Sequence, residues 1–314
     1  YERAFKTYFG NTTFVVAGTI IGENGNKPLR TRRNLGSGLG EVASLGDSYQ
    51  MGNDRLEALR NLLNVFNAKG QAEQINEIVD FLVDDYRQGL LAPHKRMDAL
   101  VGQARSEGLM RVDQDINPQG IEVKEISLPV RRYKAAAGDM QNIITYLQDD
   151  IVDVEGDRGN FFTIMEMTRK TFRQKFIKSK EFTDTYTLKF GKMEIQNHNL
   201  ITTDMANSLL EAVEFPAKVR LVDERVALPN GKVIKAFSDN RISLLPQDKI
   251  GKMMWYRPYE MDDKVQGKTY NEVEGGKMFI SNERTGEGRF MEYGADWAPS
   301  IEMPQKMAII ELPD

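Results

Sequence analysis

Apolar residues recur at Ile75, Ile78, Val79, Leu82, Tyr86, Leu90, Met97, Leu100, Val101 and Ala104, with charged residues between them. That spacing places one apolar stripe on a helix and predicts a single long element over 71–108. At 1.5 Å per residue it spans about 55 Å if continuous, which implies an elongated molecule. Ala92-Pro93 lies in its middle. A proline there removes a backbone donor and restricts the residue before it, so the stripe is expected to bend or break at that point. Gly108 suits the residue that closes the helix.

Upstream, residues 12–21 (TTFVVAGTII) are β-branched and read as a strand, and 41–51 alternate weakly. Between them GENGNKPLRTRRNLGSGLGE is Gly-rich and basic, with no core-forming pattern. Two strands around so long a polar stretch predict a hairpin that cannot bury itself on its own domain and serves a partner. The opening YERAFKTYFG, aromatic and basic without a period, suits an arm lying on another surface. Asn53-Asp54 followed by Glu57 is a capping pattern for a short helix with Leu56, Leu59, Leu63 and Phe66.

Beyond the long helix, strands are predicted at 109–112 and 121–130 about a turn at 117–120. From Gly138 short helices and strands alternate. Helices begin at Asp139, at Thr168 and at Thr203 or Asp204, and strands fall at 161–165, 219–222 and 233–237, the last after an Asn230-Gly231 turn. Strands 241–245 and 252–256 are expected to complete this compact α/β unit. The chain then returns to strands at 277–282 and 289–293 around ERTGEG, and at 306–312. The fold class is α+β.

Composition narrows the function more than the fold. The 314 residues, 40% hydrophobic and 28% charged, suffice for one large or two ordinary domains. No apolar run approaches the ~18 residues of a membrane span. Tyr1 stands where an initiator methionine is expected, so the sequence is read as trimmed, as tagged and cut, or as incomplete at its start. The absence of cysteine excludes thiolate nucleophiles, disulfides and zinc-thiolate sites. His94 reads as a solvated residue at the start of the second half of the long helix, and His198 as a loop residue. Neither is expected to serve a Ser-His-Asp set or a His-rich metal site. The net charge is −4 with scattered basic residues, which argues against sequence-specific nucleic-acid binding. Lys27, Arg30, Arg32 and Arg33 are the local exception. Such a set fits either a phosphate contact or, the favoured reading, a loop docking on an acidic neighbour, where charge gives register and selectivity.

Candidate chemistry is sparse. Gly36-Ser37-Gly38-Leu39-Gly40 is GxGxG rather than GxGxxG, and Gly267-Lys268-Thr269 has Asp262 where a phosphate loop needs glycine. Asp84-Asp85, Asp149-Asp150, Asp153 with Glu155, Asp223-Glu224 and Asp262-Asp263 have no distinguishing context and read as solvated faces. Trp255, Tyr256, Tyr259, Tyr293 and Trp297 fit a core or a protein interface better than a ligand shelf. No catalytic residue, cofactor site or metal site is expected.

Four stretches, in this order, carry a resemblance. They are FVVAGTIIGENGNKPLRTRRNLGSGLGEVASLGDSYQM, then KRMDALVGQARSEGLMRV running into INPQGIEVKEISLPV, then VRLVDERVALPNGKVIKAFSDNRISLLPQDKIG, and finally WAPSIEMPQKMAIIELPD. Together they cover most of the chain, which resembles the tailed-bacteriophage major capsid proteins, most of all the lambda-type family called major capsid protein E. The resemblance implies an N-terminal arm at 1–11 and an extended loop at 12–52. It implies a peripheral domain at 53–137 and 257–314 carrying a long spine helix, and an axial domain at 138–256. It further implies a non-enzymatic shell protein, assembling with itself as hexamers and pentamers into an icosahedral shell around double-stranded DNA that it contacts non-specifically. Scaffolding, portal and decoration proteins are implied as further partners, the host cytoplasm as the place of assembly and the virion as the destination, with no cofactor and no membrane. On this reading Lys27, Arg30, Arg32 and Arg33 make inter-subunit contacts, and the Ala92-Pro93 break is a candidate bending point. An encapsulin-like compartment enclosing a cargo protein shares the fold and is the first alternative. A carboxylate-dependent hydrolase with two converging acids is the second.

Overall fold

The computed structural model describes residues 4–6, 39–41, 43–54, 56–58, 60–61, 64, 73–117, 120, 122–191, 201–228 and 231–313. Its longest element is the helix Glu73–Glu107, which runs through Pro93 without the expected break. An internal proline costs a helix about 3 kcal/mol, so packing must offset it. Pro93 is itself buried, and the turns after it place Met97, Leu100 and Ala104 in a large apolar core. The helix ends as predicted at Gly108, which takes φ +66 and donates its N–H to the Ala104 carbonyl at 3.2 Å.

Strands β1 (Ala4–Lys6) and β2 (Leu39–Glu41) pair antiparallel and bracket residues 7–38. β3 (Ala43–Leu45) and β4 (Ser48–Gly52) follow, and the described residues between 53 and 64 are helical. After the long helix come the antiparallel pair β5 (Leu109–Val112) and β6 (Val123–Ser127), then β7 (Arg131–Lys134). The middle of the chain supplies β8 (Ile164–Met167), β9 (Lys218–Leu221), the hairpin β10 (Arg225–Ala227) with β11 (Val233–Lys235), and β12 (Arg241–Leu245). The remainder holds β13 (Gly251–Tyr256), β14 (Thr269–Val273), β15 (Met278–Thr285), β16 (Gly288–Ile301) and β17 (Ala308–Glu311).

These strands build two principal sheets. The six-stranded one runs β13-β16-β15-β14, with β3 and β4 also paired to β16. The other is a mixed five-stranded sheet in the order β7-β17-β12-β8-β9. The expectation that 252–256 completes the compact unit is therefore corrected, since β13 lies beside β16 with Trp255 opposite Trp297. Pro246 cannot extend the ladder of β12, and Gly251 admits the Ser300 carbonyl, which a Cβ there would meet at 2.2 Å. In exchange, β7 and β17 join the five-stranded sheet from outside the middle of the chain.

Side-chain alternation along β8 assigns its two faces. Met165 and Met167 turn into a core with Ile143, Leu147, Phe172, Phe176, Phe182 and Leu210. Glu166 turns the other way, fully buried, and meets Arg105 of the long helix and Arg220 of β9, whose Nε donates at 2.7 Å. A charge out of water persists only with such partners. Ser243 of β12 donates to the Arg105 carbonyl, so the same turn of helix is held twice. One turn earlier Gly102 abuts the β10–β11 hairpin so closely that a Cβ would come within 2.3 Å of the Ala236 carbonyl oxygen.

Local caps agree with the sequence in part. Thr168 accepts from the Thr171 N–H at 3.2 Å, as expected of a cap. Asp139 does not cap. It accepts from the Ala136 N–H at 2.7 Å within its own turn, and the helix starting at Ile143 is capped across the fold by Glu181, which accepts from Ile144 N–H at 2.7 Å. The chain continues as a wide helical turn, Tyr146–Asp153. Glu155, expected on a solvated face with Asp153, is a further correction because its side chain is 0% exposed. Arg158 donates to it at 2.5 Å, Asn160 at 2.6 Å and Tyr133 at 2.5 Å. Burial pushes the Glu155 carboxyl up, but hydrogen bonds from Tyr133, Asn160 and Arg158 outweigh that and hold it below its ordinary value. Burial, then Glu155 itself, pushes the Tyr133 phenol up to about 12.

Two predictions follow from these buried carboxylates. Glu166→Gln leaves two guanidinium groups facing a neutral amide, and we expect a loss of about 3 kcal/mol in urea unfolding of the unassembled chain; an unchanged midpoint would show the triad to be energetically idle. Because the folded-state pKa of Glu155 is depressed, its contribution is present above the unfolded value of about 4.3 and is lost as pH falls through the folded one. The stability gap between the wild type and Glu155→Gln should therefore be widest at neutral pH and close on acidification, as read from urea midpoints across the pH range.

Candidate inter-subunit site

The basic residues Lys27, Arg30, Arg32 and Arg33 lie outside the described residues, as do 12–21, His198 and most of the Gly36–Gly40 run. What the structure describes is the root from which that segment departs. The register of β1 on β2, Ala4 opposite Glu41 and Lys6 opposite Leu39, brings the two ends of 7–38 together. The strand closing the N-terminal side of this ribbon is thus Ala4–Lys6, within the stretch read as an arm.

From β2 the chain passes straight onto the six-stranded sheet. β3 is buried and pairs with Ala295–Trp297 of β16, and β4 pairs with Gly288–Glu292 of the same strand. Side chains fasten each step. Ser44 donates its hydroxyl to Asp296, Tyr293 donates its phenol to Asp47, and Asn53 donates to the Gly286 carbonyl at 3.2 Å. The Asp47 carbonyl also accepts from the Tyr293 N–H at 3.2 Å. Burial first, and the Asp47 carboxylate second, push the Tyr293 phenol far up, so it remains a donor at any working pH. Arg96 of the long helix feels the same carboxylate. Burial lowers its pKa, Asp47 opposes that, and its guanidinium donates to the Ile116 carbonyl at 3.0 Å. One aspartate therefore ties the root to the central strand of the sheet, in the field of Arg96 on the long helix.

The remaining sequence candidates do not converge. Tyr293 and Trp297 are core residues, 3% and 2% exposed, whereas Trp255 and Tyr259 are 45% and 49% exposed, so the aromatic set forms no shelf. His94, expected to be solvated, has its Nε2 2.7 Å from Glu274 and its ring edge-on to Trp297 at 4.7 Å. Of the carboxylate pairs, Asp223 is engaged by Arg169, Glu224 by Lys95 and Asp262 by Arg257. Lys268 pairs with Glu292 rather than serving a phosphate loop. Among the described residues no group of three or more histidine or acidic side chains converges on a metal position, and no helix is long and apolar enough to cross a membrane. The residues that build the root, Ser44, Asp47, Tyr293 and Asp296, were not singled out by the sequence as a set. Asp47 and Tyr293 are 246 positions apart, and only Tyr293 carried a signal, as one aromatic among several.

No family model matches the chain, the lambda-type family included, and no curated protein matches its sequence. Solved structures do match. A protein assigned as the capsid protein of an E. coli CFT073 prophage superposes with a TM-score of 0.55 at 12% identity, over 88% of this chain and 79% of its own. The capsid of the Myoviridae phage XM1 gives a TM-score of 0.39 at 10% identity, over 87% of this chain and 74% of that one. A virus-like particle from Pyrococcus furiosus gives 0.32 at 9% identity, over 95% and 89%. Only the first is close enough to bear on the architecture, and it shows that this chain has the α+β fold of a phage capsid protein.

Proposed function

We propose that this chain is the major capsid protein of a tailed bacteriophage, a structural and non-catalytic subunit that assembles into an icosahedral shell around double-stranded DNA. The observation that carries this reading is the capsid-protein fold, superposed on the prophage protein over 88% of the chain. The anchored root supports it. A segment leaving a sheet fixed at Asp47 and Asp296 has a rigid origin, and a loop with a rigid origin can bury surface on a neighbour that a monomer cannot hide. In this reading 12–52 is the extended loop, 53–137 and 257–314 the peripheral domain, and 138–256 the axial domain whose loops meet at five- and six-fold positions, its last strand β13 pairing into the peripheral sheet. Lys27, Arg30, Arg32 and Arg33 make contacts between subunits. A net charge of −4 suits the inside of a container, because a strongly basic wall would hold the genome in place. Scaffolding, portal and decoration proteins are the partners such a shell takes in the host cytoplasm on its way to the virion.

The test is sedimentation of the purified chain, made alone and with its scaffold. We expect megadalton particles containing DNA when they come from infected cells. A chain that stays monomeric in every assembly condition overturns the reading, and particles filled with a cargo protein in place of DNA favour the encapsulin-like alternative.

A further inference from the structure

One groove lies apart from the root. The wide turn Tyr146–Asp153 and the turn after it border an open cavity of about 420 Å³, lined by Val152, Phe161, Phe162 and Pro216 together with Asp153 and Asp157. Phe162 is 2% exposed and belongs to the core, but Phe161 is 73% exposed. The Phe161 ring thus offers apolar area at the mouth of the groove to whatever enters it. The bordering segment is acidic. Residues 149–158 hold Asp149, Asp150, Asp153, Glu155 and Asp157 against a single base, Arg158. Arg158 is committed to the buried Glu155 at 2.5 Å, and no basic side chain among the described residues pairs with the four aspartates, of which Asp153 accepts only from Gln148.

The chain carries a segment of matching chemistry. Lys27-Pro28-Leu29-Arg30 sets two apolar residues between two cations, with Arg32 and Arg33 following, and Glu23 is the single acid between residues 7 and 38. Lys27 stands twelve residues before Leu39, so an extended chain can carry it up to ~40 Å from the root. We infer that the 27–33 segment of a second copy docks in this groove, Leu29 over Phe161 and Lys27 and Arg30 on Asp153 and Asp157. The inference rests on the shell reading and names the surface that receives the loop. Apolar contact supplies affinity and the charged residues supply register.

The absence of cysteine makes the test clean. Gly156 borders the groove, and a Cβ there meets nothing within 4 Å, so Gly156→Cys is tolerated. Assembled particles of the double variant Leu29→Cys/Gly156→Cys, mildly oxidised, should give a ladder of linked chains on a non-reducing gel, and neither single variant should. Asp153→Lys/Asp157→Lys should lose particle formation, and adding Lys27→Glu/Arg30→Glu should restore it, which a folding defect would not allow. Particles without a ladder, or with a link only inside each chain, overturn this inference and leave the shell reading intact. A chain that never assembles overturns both.

Discussion

Glu166 is the point on which the two halves of the molecule turn. Its carboxylate is fully buried on the face of the five-stranded sheet opposite the apolar core, and it persists there because Arg105 reaches it from the long helix and Arg220 from the next strand. The same stretch of helix lends Met97, Leu100 and Ala104 to the core beneath the six-stranded sheet. The helix is therefore not an external strut laid on a finished domain. It lies between the two sheets, held to the back of the five-stranded one by the ion triad and the Ser243 contact and to the six-stranded one by apolar packing.

That arrangement explains why Pro93 does not interrupt the helix. A lone helix would break or kink at a buried proline. Here the turns on its C-terminal side are clamped by the sheet and by the hairpin contact at Gly102, and continuity is imposed from outside. The idea that Ala92-Pro93 is a bending point gains nothing from this conformation, although a continuous helix with one missing hydrogen bond is where a bend would begin. The root of the 7–38 segment draws on the same frame: Asp47 holds Tyr293 of β16 and lies in the field of Arg96 on the helix. The root is thus bonded to β16, and β16 packs on the helix.

Much of the fold was legible from local pattern. The long helix, its apolar positions Met97, Leu100 and Ala104, the closure at Gly108, the cap at Thr168 and the order of most strands depend on neighbours a few residues away, which a sequence displays. What was hidden depends on residues far apart. Glu155 and Glu166 look like any other acids until the fold surrounds them with arginines, and Glu181 caps a helix that begins 38 positions earlier, at Ile143. The placement of β13 was misread because pairing with β16 is decided by Gly251 and Pro246 together with a distant strand. At the site, the charge of Lys27 to Arg33 was visible and its anchorage was not, since Ser44 and Asp47 reveal their use only against Asp296 and Tyr293.

The central claim is that a tile of two sheets joined by one long helix presents a long basic segment to its neighbour in a closed shell. The most direct measurement is a cryo-electron microscopy reconstruction of assembled particles. The account predicts icosahedral order, the helix-rich five-stranded unit at the five- and six-fold axes, an uninterrupted helix through Pro93, and density for 7–38 crossing onto an adjacent subunit. Particles lacking icosahedral order, or a map in which 7–38 folds back on its own chain, would contradict it.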